Sequence, residues 1–254
     1  MSVVLNEYAW AEEAIRTRTL GKKPSETLGR IAKYYISRGS SKKETRKLLE
    51  TFLRSCDPTI SIPKWSNVLD YSVSKAIKYG IIDIDSVDVT DEEMKVIDSI
   101  AGRQTRRLAF ALLCLAKYWD AVNPTCDHWV INKDSEIMSL ANINTSLKRQ
   151  GAMYKELNDL GLVQFSKKVD NTSTRVCFVK PGNVVMKLCD FRDLGYQYLM
   201  YHGEPYYCCE SCGVIMKKKS SKMGRRVKYC PECASEIRMK QNIESAMKCR
   251  SYNK

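Results

Sequence analysis

Apolar residues recur every three or four positions through most of the first ninety residues, a spacing that predicts amphipathic helices. Capping residues and glycines mark where these helices start and stop. Each apolar face needs a partner face, so we predict one helical bundle over residues 1–89. The predicted helices are Glu7 to Thr17 after a cap at Asn6, one through Leu28, Ile31, Ala32 and Tyr35 that stops at Gly39, one after a capping box from Ser41 to Glu44, and Trp65 to Tyr79 after a break at Pro63.

Residues 81–90 alternate apolar and acidic side chains, which predicts a half-buried strand or a short hairpin. An alternative is that Asp83, Asp85 and Asp88 are metal-binding acids of a nuclease. Strict alternation favours a solvent-facing role for them, and no lysine-bearing nuclease pattern follows. Thr90 with Glu93 then predicts the cap of a further helix.

Residues 90–189 predict a second domain in which helices and short strands alternate. Leu108 to Trp119 is almost entirely apolar, as the buried central helix of a domain would be. Helix, strand, helix, turn, helix and hairpin in this order is the plan of a winged helix-turn-helix domain. The elements after Trp119 are a strand at His128–Ile131, a helix at Asp134–Ala141, a turn at Asn142–Thr145, a helix at Thr145–Gly161, and hairpin strands at Val163–Lys168 and Thr174–Val179.

The helix from Thr145 to Gly161 is the predicted recognition helix, because basic residues cluster in its N-terminal half. The predicted inward face consists of Leu147, Gly151, Tyr154, Leu157 and Leu160, and the outward face of Lys148, Arg149, Ala152, Lys155 and Glu156. The candidate nucleic-acid contacts are Thr145, Lys148, Arg149 and Lys155 on the helix, and Lys167, Lys168 and Arg175 on the hairpin. The alternative is a winged helix that docks a protein or serves as a scaffold, since this region is only weakly basic.

Two C-x-x-C pairs near the C-terminus predict a four-thiolate metal site. The predicted ligands are Cys209, Cys212, Cys230 and Cys233, and one structural Zn²⁺ fits them because four protein sulfurs leave no open position. The alternatives are unligated thiols or a rubredoxin-like iron site. Cys208 is adjacent to Cys209 and could replace it, although Cys209 keeps both pairs at the two-residue spacing.

Residues 213–228 between the two pairs carry seven cations and no acid, which predicts a zinc ribbon with a basic hairpin in the segment 207–254. The preceding linker, residues 190–206, is rich in tyrosine, and its aromatic rings either stack on bases or pack the ribbon against the winged helix. After Cys233, Ile237, Ile243 and Met247 lie in a basic, helix-compatible tail. The loop cations predicted to contact phosphates are Lys217, Lys218, Lys219, Lys222, Arg225, Arg226 and Lys228.

The 254 residues carry a net charge of +13, of which residues 201–254 contribute more than half, with 12 basic and 5 acidic side chains. A basic segment of this kind attracts phosphate backbones, anionic membrane surfaces or acidic proteins. No signal-peptide pattern opens the chain, the remaining cysteines are scattered, and the longest apolar run is about half a bilayer span. We therefore expect a cytoplasmic protein without a membrane segment and of mainly α (α+β) class.

The knuckles Cys-Glu-Ser-Cys-Gly and Cys-Pro-Glu-Cys-Ala, followed by a basic tail, resemble zinc ribbons at the ends of proteins from phages and mobile elements. The segment from Asp91 to Val179 is similar to winged-helix domains of phage and plasmid replication or regulatory proteins. Together these similarities cover about half the chain. They imply DNA binding in replication or transcription control of a mobile element in bacterial cytoplasm.

Catalytic motifs are missing from the sequence: it has no phosphate-binding glycine loop, no Gly-x-Ser-x-Gly elbow and no His-Glu-x-x-His. The two histidines, His128 and His202, are far apart, and nothing marks one tyrosine as a nucleophile. We therefore predict a protein that is not an enzyme and binds nucleic acid, with duplex DNA favoured over RNA. The alternative is an adaptor or inhibitor that docks on a host protein, such as RNA polymerase, a replisome part or a defence complex, through the ribbon. The oligomeric state stays open.

Overall fold

The computed structural model describes residues 3–167, 173–218 and 227–252, and it is mainly helical with three small sheets. The helices are α1 (Glu7–Thr17), α2 (Pro24–Ser37), α3 (Lys42–Cys56), α4 (Ile62–Tyr79), α5 (Asp91–Asp98), α6 (Arg103–Val122), α7 (Asp134–Leu140), α8 (Leu147–Asp159), α9 (Leu194–Tyr201) and α10 (Pro231–Tyr252). The strands are β1 (Val87–Thr90), β2 (Trp129–Val130), β3 (Val163–Phe165), β4 (Thr174–Val176), β5 (Val184–Leu188), β6 (Tyr206–Cys208) and β7 (Ile215–Lys217).

The chain forms two compact units, and neither is a single continuous segment. The first unit contains Met1–Thr90, Lys117–Asp127 and Asn183–Phe191. The second contains Asp91–Ala116, His128–Gly182 and Arg192–Lys254. The boundary therefore falls within α6, whose residues from Lys117 onwards belong to the first unit.

The first unit is built on the predicted helices α1 to α4, in which α2 packs against the other three. The side chains of Leu28, Ile31, Leu49, Leu53 and Leu69 are fully buried between them. Burial of this apolar surface is the main favourable term in the free energy of folding of the bundle.

Of the predicted helix starts in this unit, the caps at Asn6 and Ser41 are confirmed, and the start of the fourth helix is wrong. Asn6 Oδ1 accepts a hydrogen bond from the Ala9 N–H, and Ser41 and Glu44 form both hydrogen bonds of a capping box. The fourth helix begins at Ile62 instead of Trp65 and includes Pro63. Pro63 does not break the chain, because proline fits the first helical turn, where its missing N–H would have no partner.

The alternating segment contains β1, which pairs antiparallel with β5 of the same unit. Val87 and Val89 are buried and Asp88 between them is partly exposed, as the alternation predicted. Asp83 accepts a hydrogen bond from Asn6 Nδ2 at 2.8 Å and so helps to fix the start of α1. Asp88 also accepts a hydrogen bond, from Ser86 Oγ at 3.3 Å, so two of the three acids considered for a nuclease site have structural contacts.

A buried carboxylate connects three parts of the first unit. Glu7 is almost fully buried at the start of α1, and its two oxygens accept from Lys33 Nζ at 3.2 and 2.9 Å. The same carboxylate accepts from the Ile82 N–H at 2.9 Å and lies 3.5 Å from Arg30 Nε. A buried charge is tolerated only when it is paired and hydrogen-bonded, and Glu7 satisfies both conditions.

We expect Glu7→Gln to destabilise the first unit by about 3 kcal/mol, because Arg30 and Lys33 would lose their buried counter-charge. Native-state hydrogen exchange of the α2 amides measures this loss as a fall in protection of about two orders of magnitude. Glu13→Gln is the matched control, since Glu13 pairs with Arg16 on the exposed face of α1. A similar loss of protection in both variants would show that the buried carboxylate of Glu7 contributes no more to stability than the exposed carboxylate of Glu13.

In the second unit, β2, β4 and β3 form an antiparallel sheet in that order. Along the chain, α6 precedes β2, and α7 and α8 lie between β2 and β3. The order of elements from Leu108 to Val176 is the predicted one, with shorter strands. Leu108 to Ala116 are all fully buried, as the run of apolar residues predicted. Within the residues that the structure describes, no helix is long and apolar enough to cross a membrane.

The predicted inward face of α8 is partly wrong. Tyr154 and Leu157 are buried, but Leu147 is 83% exposed, and Gly151 and Leu160 are also exposed. Met153 takes their place in the core. The helix starts at Leu147 after a cap at Ser146, so Leu147 lies in its first turn, beyond the reach of the core. The predicted outward residues Lys148, Arg149, Ala152 and Lys155 are exposed.

Candidate metal centre and nucleic-acid interface

The first pair of predicted ligands lies in the connection between β6 and β7. Cys209 N–H donates to the Val214 carbonyl oxygen and Gly213 N–H donates to the Cys209 carbonyl oxygen, both at 2.9 Å. Gly213 has φ +74°, a backbone conformation that glycine adopts without a steric penalty. This tight turn brings the sulfurs of Cys209 and Cys212 to the same side of the hairpin.

The second pair lies at the start of a helix, whereas the first pair lies in a hairpin. Cys230 directly precedes Pro231, the first residue of α10, and Cys233 lies in the first helical turn. Proline at the first helical position favours this start. The Cys233 N–H donates to Cys230 Sγ at 3.4 Å, so the sulfur occupies the place of a capping oxygen.

All four sulfurs converge on one point. The Sγ atoms of Cys209, Cys212, Cys230 and Cys233 lie within 4.8 Å of one another, and Cys212 Sγ lies 3.7 Å from Cys230 Sγ. With metal–sulfur bonds of about 2.3 Å, a tetrahedral four-sulfur site has sulfur–sulfur edges of about 3.8 Å. The group is therefore the right size to hold one metal ion. Across the described ranges it is the one group of three or more metal-binding side chains.

The structure places Cys209 in this group and Cys208 outside it. Cys208 ends β6 with an exposed side chain, and its Sγ lies 3.3 Å from the Gly213 carbonyl oxygen. Cys209 is buried, as expected of a sulfur surrounded by three others. Side chains alternate along an extended strand, so adjacent cysteines point in opposite directions.

Local hydrogen bonds and burial shift the thiol acidities within the group. Backbone N–H donors, from Cys212 first and then from Cys230, lower the pKa of the Cys209 thiol to about 6, because they stabilise its thiolate. A hydrogen bond with Ser211 lowers the pKa of Cys233, but those with the sulfurs of Cys230 and Cys212 outweigh it and raise that pKa to about 12. A bound cation would favour the thiolate form of all four.

The candidate contacts on α8 lie on its exposed side. Lys148, Arg149 and Lys155 are exposed, and Thr145 is half-buried just before the helix. Glu156, the acid on this side, accepts a hydrogen bond from Thr105 Oγ1 at 2.8 Å and is half-buried against α6. The exposed side of the N-terminal half of α8 is consequently basic.

The hairpin residues are placed differently from one another. Lys167 is exposed just after β3, whereas Lys168 lies outside the described residues. Arg175 is half-buried in the middle of β4, opposite Gln164 on β3 and Trp129 on β2. Its backbone position is therefore within the sheet and not at the hairpin tip.

Part of the basic segment near the metal group can be placed. Lys217, Lys218 and Lys228 are exposed, and Lys228 Nζ lies 3.6 Å from a carboxylate oxygen of Glu210. Lys217 ends β7, and Lys218 N–H donates to the Pro205 carbonyl oxygen. The predicted contacts Lys219, Lys222, Arg225 and Arg226 lie outside the described residues.

The tyrosine-rich segment after residue 190 contains α9, which packs against α6 and β6 within the second unit. Tyr198 lies against Phe110 of α6 and donates to Asp98 at 2.6 Å, and Tyr196 stacks on Tyr206 of β6. These rings have protein contacts, in line with the packing role predicted for the segment. No sequence motif marks the start of α9, so the roles of Arg192, Asp193 and Gly195 there were not predicted.

Comparison with models of known protein families, with curated proteins and with solved structures gave no match for this chain.

Cys209→Ser should abolish tight, stoichiometric metal binding, because three sulfurs and a hydroxyl form a much weaker site than four thiolates. Cys208→Ser should retain one metal ion per chain. Competition against a chromophoric chelator, followed by elemental analysis of the protein, measures both. Equal retention in the two variants would exclude Cys209 as a ligand.

Proposed function

We propose that this chain is a zinc-containing nucleic-acid-binding protein whose main ligand is duplex DNA. The observation that carries the proposal is the exposed basic side of α8, with Lys148, Arg149 and Lys155 in and next to its first two turns. A short helix precedes it across a tight turn, and a small antiparallel sheet follows it.

The same arrangement supports a winged helix-turn-helix domain. Asn142 has φ +54°, a left-handed conformation that ends α7 and redirects the chain towards α8. The 13 residues of α8 span about 20 Å, enough for its N-terminal half to enter a major groove. Gly151 and Ala152 between the lysines are small and exposed, which lets a groove approach the helix closely.

Zn²⁺ is the proposed ion because it accepts four thiolates in a tetrahedron without a geometric penalty. It would hold the β6–β7 hairpin to the start of α10, and the N-terminal end of that helix favours the negative charge of the four thiolates. Four protein ligands leave no open position, so the proposed role is structural. The exposed cations Lys217, Lys218 and Lys228 would add sequence-independent attraction for phosphates.

The biological setting is also part of the proposal. The knuckle and winged-helix patterns suggest replication or transcription control in a phage or mobile element, within bacterial cytoplasm. RNA is the competing nucleic acid, because a basic surface attracts both. Competition between duplex DNA, single-stranded DNA and RNA of equal length separates these ligands.

The combined variant Lys148→Ala with Lys155→Ala should weaken duplex binding and reduce the slope of log K against log salt by nearly 2, about 0.9 for each lost phosphate contact. Fluorescence anisotropy over a salt series measures both effects. Lys47→Ala with Lys64→Ala, on exposed positions of α3 and α4, removes the same charge elsewhere. An unchanged slope in the α8 variant, or an equal change in the control, would exclude α8 as the interface.

The metal identity has its own test. The protein purified without added metal should contain one zinc per chain by elemental analysis, and Co²⁺ replacement should give the visible spectrum of a tetrahedral four-thiolate site. Iron in the purified protein would favour the rubredoxin-like alternative.

One observation favours the second candidate function, an adaptor that docks on a host protein. Met239, Ile243 and Met247 are 62, 50 and 65% exposed and lie four residues apart, so they form an apolar stripe along α10. A stoichiometric partner recovered from nuclease-treated lysate by the natural protein, and lost when the three residues are replaced by serine, would support this function. Retained partner binding would show that another surface docks it.

A further inference from the structure

Asp193 makes two contacts that connect distant parts of the second unit. Its Oδ1 accepts from Asn142 Nδ2 at 2.9 Å, and its Oδ2 accepts from the Ile215 N–H at 3.3 Å. Asp193 stands at the N-cap position of α9, where an aspartate commonly accepts from the first helical turn. It makes no such hydrogen bond, and its φ of +55° belongs to the left-handed region. Both oxygens therefore serve other elements of the fold.

The contact with Asn142 fixes the turn between α7 and α8. Asn142 Oδ1 accepts from the Tyr196 N–H at 3.1 Å, so the amide group is held at both ends by the start of α9. Arg107 donates to the Asn142 carbonyl oxygen at 3.1 Å. Gly195 packs so closely that a Cβ there would overlap the Ala141 carbonyl oxygen. The turn is thus held from several directions.

The contact with Ile215 fixes the hairpin that carries two of the four cysteines. Ile215 is the first residue of β7 and lies three positions after Cys212. The neighbouring Arg192 donates to the Cys212 carbonyl oxygen at 2.9 Å and lies close to Gly213. Two consecutive residues, Arg192 and Asp193, therefore hold the first knuckle of the metal group.

We infer that Asp193 is a positioning residue that couples metal binding at the four cysteines to the order of the turn before α8. The inference rests on the proposed metal site, and it needs no nucleic acid. Metal binding orders the β6–β7 hairpin, the hairpin holds Asp193, and Asp193 holds Asn142 at the turn. Coupling free energies act in both directions, so ordering of the turn also strengthens metal binding.

The test compares hydrogen exchange of the full chain with Zn²⁺ bound and after chelation. The reporters are the Ile143 N–H, bonded across the turn to the Met138 carbonyl oxygen, and the Tyr196 N–H. Metal removal should speed exchange at both by roughly tenfold, within the range usual for coupled sites. The N–H groups of Val176 and Cys177 donate to the carbonyl oxygens of His128 and Leu162 at the small sheet, and their exchange rates should not change on chelation.

Asp193→Gly keeps the left-handed backbone and removes both contacts. In this variant, Ile143 should exchange fast with metal bound and respond little to chelation. Asn142→Gly preserves the turn conformation in the same way and should lower metal affinity by about fivefold, although Asn142 does not touch the cysteines. Asp159→Asn, which removes one negative charge at the exposed end of α8, is the matched control and should behave like the natural protein.

The outcomes separate this inference from the proposed function. One bound zinc per chain with no change at Ile143 on chelation would overturn the coupling and leave the metal site intact. Equal acceleration at the turn and at the small sheet would also overturn it, because the unit would then unfold as a whole. A protein that binds no metal would overturn both the inference and the zinc part of the proposal.

Discussion

Convergence of four cysteine sulfurs is the constraint on which the C-terminal part of the structure depends. The buried cluster there consists of Cys209, Cys230 and Cys233, with Cys212, Met216 and Tyr229 packed against it. A hairpin with three-residue strands and the first turn of a helix bury too little apolar surface to hold together alone. Small modules of this kind gain much of their folding free energy from a bound metal. The proposed zinc would accordingly take the place of a hydrophobic core.

Two acids of the second unit are engaged within the fold and leave the basic residues of α8 exposed. Glu156 is held by Thr105 against α6. Asp193 uses both oxygens within the second unit. Carboxylates engaged in this way stabilise the fold and contribute less to the potential outside it. The lysines of α8 remain exposed, which is the basis of the proposed DNA interface.

Local patterns predicted the local elements well. The caps at Asn6 and Ser41, the buried run from Leu108 to Ala116 and the convergence of the two cysteine pairs all follow from residues near each other in sequence. Helix starts at prolines were harder to predict, because a proline such as Pro63 or Pro231 can either end one segment or lie in the first turn of a helix. The buried face of α8 was only partly right, since helical spacing defines a stripe but not where the core ends along it.

Contacts between residues far apart in sequence could not be predicted in this way. The pairing of β1 with β5 joins residues about one hundred positions apart, and Asp193 meets Asn142 across fifty-one. The sequence by itself determined the helices of the first unit, the hairpin after α8 and the set of cysteines, because periodicity, capping and ligand spacing act over a few residues. Ligand spacing already favoured Cys209 over Cys208, and the structure places Cys209 in the group. Tertiary structure alone decided what holds the turn before α8, because that outcome depends on packing between separate segments, which no local pattern records.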